Sequence, residues 1–343
     1  MPSVHCFTSI SFSYLDRARV LAETVKKFHP DWILWLCLSD REPHGFTFDI
    51  ESEDFDHLVR INDLALPDTE RWIFGHDVVE LCTAVKGAML CHMLERGAEK
   101  VIYIDPDIAL FDRLDEIPRL LDRHDIVLTP HLTAPETTIP RILDNEVGAL
   151  KHGTFNLGFI AVSGHDDGRR FAYWWKERLQ DFCYDDIPAG LFTDQRWCDL
   201  VPSLFGNTHI LRDPGYNVAS WNLINRPIRI HWDGRMTAGD HPLRFFHFTK
   251  INSVGERALA QNAGGRHEVF ELVRWYRARL AAHAAERLPS GWWAFAHYDD
   301  GTPIPARDRT LYRSQPGLRD QFPRPFASGP GSFQEWCSRL AAA

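Results

Sequence analysis

Five apolar runs of strand length, joined by stretches of helical periodicity, restrict this chain more than any other feature. VHCFTSI (4–10) is followed by LDRARVLAETVKKF, which has helical spacing, and then by a second strand in WILWLCLSD (32–40). A helix is predicted from about Val78 to Arg96, with Gly97 as its left-handed cap, and VIYID follows as a strand. A further helix near Leu114–Arg123 leads into the strand DIVLTP. FNLGFIAVS (155–163) leads into the helix DGRRFAYWWKERLQDF. Strands alternating with helices in this way predict an α/β fold with a mainly parallel central sheet flanked by helices.

Beyond Asp194 the pattern is more irregular, with short aromatic-rich segments. HEVFELVRWYRARLAAHAAERL (267–288) is the last clear helix, amphipathic in its spacing. The Gly-, Pro- and Arg-rich sequence after Pro289 is expected to wrap over the core as an extended arm. Residues 1–255 are therefore expected to form the main domain, and 256–343 a C-terminal helical and extended appendage packed on it.

Composition excludes several classes. A chain of 343 residues that is 44% hydrophobic can bury a sizeable core, and 25% charged residues is ordinary for a globular protein. The formal charge is -9 with no Lys/Arg-rich run, which argues against a nucleic-acid partner. The seven cysteines (6, 37, 82, 91, 183, 198 and 337) are odd in number and show no CxxC spacing. They read as small core residues of a reducing compartment. MPSVHCFTSISFSY lacks the pattern of a signal peptide, and no apolar run approaches bilayer length, so a cytoplasmic location is expected. Attachment of helix 267–288 to the inner membrane face is an alternative to its packing on the main domain.

The chemistry begins where the strand VIYI ends in Asp105-Pro106-Asp107. Ligands bind at the strand ends of open parallel sheets, where loops leave a crevice. Side chains at i and i+2 of an extended segment point the same way. Two hard oxygen ligands on one side suit Mg²⁺ or Mn²⁺. For a DxD taken alone, the competing reading is a turn capped by Asp105 with Asp107 solvated.

Further motifs stand around it in a particular order. They are FTSISFSYLDRARVLAETV, the helix with Lys86, YIDPDIALF, FNLGFIAVS, TDQRWCDLV, DPGYNVASWN and FFHFTKI. Over roughly residues 4–255 this series resembles the nucleotide-sugar glycosyltransferases of the GT-A fold. It is most similar to the retaining family 8 group that includes glycogenin and bacterial galactosyl- and glucosyltransferases. The resemblance implies a Rossmann-like GT-A domain. In it Thr8, Ser9 and Tyr14 hold the nucleotide base, Lys86 lies on the base and phosphate side, and Asp105, Asp107 and His247 bind Mn²⁺ or Mg²⁺. It further implies that Asn156 faces the sugar, that Asp194 and Gln195 form the catalytic pair, and that Asn217 lies near the active site. Lys250 approaches the diphosphate, although Thr249 and Lys250 stand where the family usually has Gly, with its Lys a few residues later.

The implied reaction is retaining transfer of a hexose from a nucleotide-diphosphate sugar, a UDP-sugar in the first place, to an acceptor hydroxyl. The acceptor is a glycan or lipid-linked glycan, in bacterial surface-glycan or glycoconjugate synthesis. Singly, each residue has a plainer explanation: a solvated Lys86, an N-capping Asp194, a core His247. Two rival functions remain. A haloacid-dehalogenase-type phosphatase also has a strand ending in DxD, but that motif normally opens its chain. A non-catalytic sugar- or nucleotide-binding module is opposed by the complete set Lys86, Asp105, Asp107, Asp194 and His247.

Overall fold

The computed structural model describes residues 3–251 and 253–342. Its strands are β1 (Val4–Ile10), β2 (Ile33–Leu38), β3 (His57–Arg60), β4 (Lys100–Ile104), β5 (Ile108–Leu110), β6 (Ile126–Pro130) and β7 (Phe155–Ser163). Then come β8 (Asp185–Asp186), β9 (Leu191–Phe192), β10 (Thr208–Ile210), β11 (Val218–Ala219), β12 (Ile228–Ile230), β13 (Met236–Ala238), β14 (His241–Pro242) and β15 (Phe245–His247). The helices up to the site are α1 (Leu15–Phe28), α2 (Thr69–Phe74), α3 (Val78–Glu95), α4 (Glu116–Leu120), α5 (Ile139–Arg141), α6 (Val147–His152) and α7 (Asp166–Phe182). They are followed by α8 (Val201–Leu204), α9 (Val254–Asn262), α10 (Glu268–Ala282), α11 (Ala306–Ser314), α12 (Pro316–Gln321) and α13 (Phe333–Ala342).

Seven strands form the central sheet in the order β10-β6-β7-β4-β1-β2-β3. Neighbours are parallel except at β7, which runs antiparallel to both β4 and β6. The expected mainly parallel sheet flanked by helices is therefore present. The inverted strand matters for the site. Ile104 pairs with Phe159, so the beginning of β7 lies beside the end of β4.

The faces of the sheet follow the period of two. Val101 and Tyr103 of β4 enter one apolar cluster, with α3 and α7, while Ile102 and Ile104 enter the other, with α1. Helix α3 begins where Asp77 and Glu80 cap one another's backbone N–H groups, and it ends at Gly97, whose φ of 90° suits the left-handed cap.

The C-terminal region differs from expectation. The helix predicted over 267–288 stops at Ala282, and it is not the last: α11, α12 and α13 follow where an extended arm was expected. Only residues between Ala282 and Ala306 approximate an arm. The region is buried against the rest of the chain. Trp293, Phe295, Tyr312, Phe322 and Phe333 join Trp72, Ile73 and Phe74 in one cluster. The buried Arg309 donates from Nη1 to the carbonyls of Phe74 (3.1 Å) and His76 (2.9 Å), with its guanidinium 4.9 Å from the Trp293 ring centroid. Across position 255, Leu259, Leu272 and Tyr276 share a cluster with Val20, Ala109 and Phe246. Helix α4 is shorter than the predicted 114–123. All seven cysteines are free thiols, six of them buried, in line with their reading as core residues.

Two buried histidines lock contacts between elements. His29 stacks on Trp32 and accepts the Leu114 backbone N–H at Nε2 (2.7 Å), so that nitrogen must be unprotonated. His76 packs against Trp72 in the loop held by Arg309. Burial lowers both to about 4. A depressed folded pKa means stability that is full above the unfolded value near 6.5 and is lost as pH falls toward 4. Each should forfeit roughly 2 kcal/mol by pH 5. Urea midpoints should therefore drop between pH 7 and 5, and His76→Asn should flatten that slope; an equally steep slope in the variant would remove His76 from the account.

Candidate active site

Asp105 and Asp107 lie at the carboxyl end of β4, where the chain turns into β5. The Asp105 N–H bonds the Gly158 carbonyl of β7 (2.8 Å), and its own carbonyl accepts from Ile108 N–H (3.1 Å). His247 arrives by register. β15 pairs antiparallel with β5 so that His247 opposes Ile108, and Phe248 N–H bonds the Asp107 carbonyl (2.8 Å). These two short strands and β11 form a separate three-stranded sheet.

The result is a compact ligand set. His247 Nε2 lies 3.0 Å from Asp107 Oδ1 and 3.7 Å from Asp105 Oδ2. One ligand atom from each of the three falls within 4.8 Å of the others. Neighbouring ligands of an octahedral ion at ~2.1 Å stand ~3 Å apart, and two carboxylates with one imidazole suit Mn²⁺ or Mg²⁺. The residues present therefore fit a divalent ion. Burial would raise the Asp107 carboxyl, but the His247 ring and Arg17 more than reverse this, so it stands below the usual range. Burial likewise opposes the charged His247, and Asp107 followed by Asp105 holds it above its ordinary value.

Lys86 is 2% exposed beneath this cluster. It projects from α3 toward the sheet face that carries Tyr103 and Asp105. Its ammonium donates to Asp194 (2.8 Å), the Leu157 carbonyl (3.1 Å) and Asp105 (3.3 Å) and sits over the Tyr103 ring. All three of its protons are thus engaged with the protein. Lys86, expected on the base and phosphate side, is here a buried strut joining two carboxylates. Burial disfavours its charge, yet Asp105 and Asp194 overcome that and raise its pKa. Asp194, itself buried, takes a second bond from Thr193 Oγ1 (3.1 Å), and burial raises its carboxyl despite the ammonium.

Asn156, Gln195 and Asn217 form a connected polar layer at the start of β7. Asn156 Oδ1 accepts from Gly158 N–H and Asn217 Nδ2, both at 3.1 Å. Gln195 Oε1 accepts from Leu157 N–H (3.1 Å) and Asn156 Nδ2 (3.3 Å), while its Nε2 donates to the His152 carbonyl (2.9 Å). Gln195 therefore ties α6 to β7 and has little left to offer a substrate. Thr193 and Asn217 hold φ of 43° and 52°, a conformation non-glycine residues adopt at a cost and one that gathers at functional sites.

The outer residues are less uniform. Tyr14 is 38% exposed, and the Arg17 guanidinium lies 4.3 Å from its ring centroid. Thr8 and Ser9 are buried within β1, so neither side chain stands open at the rim as a base-binding group would. Lys250 is exposed on the turn after β15, with φ 49°, and bonds no member of the cluster through its side chain.

Several contributors escaped the sequence. Tyr103, whose hydroxyl donates to Asp105, was signalled by its position two residues before it on the same strand face. Arg17, Thr129, His131 and Trp221 had no such signal. His131 meets Asn156 Nδ2, and burial lowers its pKa to about 4. Trp221 packs edge-on against His247.

Gly158 is closely packed against the cluster. A Cβ there would stand 2.7 Å from His247 Cε1 and 2.8 Å from Asn156 Oδ1. Gly158→Ala should displace the imidazole, weakening Mn²⁺ binding by about tenfold or more and costing about 1–3 kcal/mol of stability. Calorimetric titration of Mn²⁺ alongside urea unfolding checks both; unchanged Mn²⁺ affinity would separate His247 from the metal.

No protein-family model matches the chain. Two Bacillus subtilis (strain 168) proteins, both uncharacterized, are similar in sequence. YfnF is 28% identical over 273 residues, spanning 75% of this chain and 84% of YfnF. YfnD is 22% identical over 263 residues, spanning 75% of this chain and 81% of YfnD.

Among solved structures, the chain is similar to a galactosyltransferase, LgtC, in complex with donor and acceptor sugar analogs. The TM-score is 0.46, with 15% identity, 84% of this chain and 98% of that one covered. It is also similar to a glycosyltransferase involved in glycosylation of the major capsid of PBCV-1 (TM-score 0.41, 10% identity, 76% and 100% covered). A third is mouse xyloside xylosyltransferase 1 in its apo form (TM-score 0.41, 12% identity, 73% and 98% covered).

Proposed function

We propose that this protein is a metal-dependent glycosyltransferase that moves a hexose from a UDP-sugar to a hydroxyl of a glycan or lipid-linked glycan acceptor. The observation that carries this reading is the convergence of Asp105, Asp107 and His247 at the carboxyl rim of the sheet. The three would hold Mn²⁺ or Mg²⁺, which when bound supplies positive charge to a departing diphosphate. The chain's own part is mainly positional. Tyr14 and Arg17 present an aromatic face and a cation beside Asp107. Lys86 keeps Asp105 and Asp194 in fixed relation.

Retention by front-face attack needs no side-chain base, because the leaving phosphate accepts the acceptor's proton. The burial of Asp194 and its two donors favour a brace for positive charge on the sugar over a nucleophile. The setting we assign is the cytoplasm, at or near the inner membrane face, in bacterial surface-glycan synthesis. None of the described helices is long and apolar enough to cross a membrane.

Thermal melts with a panel of nucleotide sugars, with and without Mn²⁺, test the reading. A UDP-sugar should raise the melting temperature only with Mn²⁺, and Asp105→Asn/Asp107→Asn should abolish that rise. If no nucleotide sugar moves the transition, the proposal fails. Asp194→Asn should lower turnover by about 10²–10³ while nucleotide affinity stays within about threefold; full activity in that variant would take Asp194 out of the reaction.

A further inference from the structure

A second polar depression lies at the opposite end of β4 from Asp105. Lys100, at the start of that strand, bonds the Pro118 carbonyl (2.8 Å) and pairs with Asp122, which seats α4 and the turn after it there. Five residues of strand place this end roughly 16 Å from Asp105. The cavity, about 410 Å³, is bounded by Arg113, Arg119, Arg123 and Arg244, with Asp115 and Glu116. With Asp112, which pairs with Arg244, four guanidinium groups stand against three carboxylates, a cationic spot on a chain of net charge -9.

The arginines are not equally committed. Arg113 makes a forked pair with Asp115 (Nε 2.8 Å to Oδ2, Nη2 2.8 Å to Oδ1). Arg244 gives Nη1 to Asp112 (2.6 Å) and the Arg113 carbonyl (2.9 Å). Its Nε, however, is buried without a partner. Arg119, in α4, and Arg123, in the turn after it, both line the cavity, are exposed and pair with no carboxylate among the described residues. Like charges gathered at one cavity repel, and a buried donor left unbonded is costly. One ligand with several anionic oxygens relieves both.

We propose that this cavity binds a phosphate-class anion, received by the guanidinium groups of Arg119 and Arg123 and by the unspent donor of Arg244. A tetrahedral, multiply charged group matches forks approaching from several sides better than a single planar carboxylate does. The anion could be free in solution or the headgroup of a lipid.

The test uses the full chain in EDTA, so that no metal takes part at Asp105. Calorimetric titration with inorganic pyrophosphate and phosphate is compared between wild type and Arg119→Ala/Arg123→Ala. Both of these residues are exposed, so the fold should survive. Arg178→Ala/Arg274→Ala, which removes equal charge elsewhere, sets the non-specific baseline. Saturable binding that weakens tenfold or more only in Arg119→Ala/Arg123→Ala supports a free anion. In a second arm, sedimentation with vesicles of phosphatidylglycerol, against phosphatidylcholine alone, reports the headgroup source by the same variant dependence. Glu116→Gln should tighten whichever binding is found by several-fold. Absence of binding in both arms, or binding equal in the two double variants, overturns the proposal.

Discussion

A chain ending at Leu288 is expected to lack any cooperative unfolding transition. The removed segment carries Trp293, Phe295, Tyr298, Tyr312, Phe322 and Phe333, all buried against the cluster built around Trp72, Ile73 and Phe74. Each large apolar side chain contributes on the order of 1.5–3 kcal/mol. Six of them rival the whole stability of an ordinary domain, about 5–15 kcal/mol. The loss of Arg309 also strips the Phe74 and His76 carbonyls of their donor. Near-ultraviolet circular dichroism and a urea titration would check this. A truncated chain that melts as sharply and as high as the full one would show 289–343 to be dispensable. A milder probe, Phe333→Ala, should cost about 3–5 kcal/mol while leaving a folded protein to measure.

Lys86→Met is expected to destabilise the fold by about 3–5 kcal/mol, because it leaves two carboxylates without their shared cation. Asp194 is buried beside Asp105, and the two repel. Without the ammonium, Asp194 should take up a proton at a higher pH than in wild type. A raised folded pKa stabilises below the unfolded value near 4 and loses that contribution as pH rises through it, so the deficit should shrink on acidification. Adding Asp194→Asn to Lys86→Met should recover part of the loss, giving a non-additive cycle in urea titrations. A cost under about 1 kcal/mol for Lys86→Met would mean that the ion pair is not what holds the site together.

The sequence disclosed the long elements because each carries many turns or alternations of a consistent signal. α1 and β7 fall on the expected residues, and α3 ends one residue short, at Glu95 before its cap. The small sheet of β5, β11 and β15 could not be read that way, since two or three residues hold no period. Yet that sheet is what delivers His247 to Asp107. In ARDRTLYRS, charged residues mask a helix whose burial rests on Asp308, Arg309 and Tyr312. In the site, Asp105 and Asp107 were legible as carboxylates ending a core strand, and His247 through its resemblance. The engagement of Lys86, Gln195 and Asn156 with the protein was not, because it depends on contacts far apart in sequence.

The shared core also sets an order of events during synthesis. Trp72 and Phe74 leave the ribosome about 260 residues before Phe333, an interval of roughly 13–50 s at ordinary elongation rates. Through that time one face of the sheet lacks its final covering, and the apolar surface around α2 stays open to chaperones or to other nascent chains. Asp105, Asp107 and His247 are all made by residue 247, but the body that holds them closes only when α13 is released. For this chain, completion of the fold waits on a segment made about 260 residues after the surface it covers.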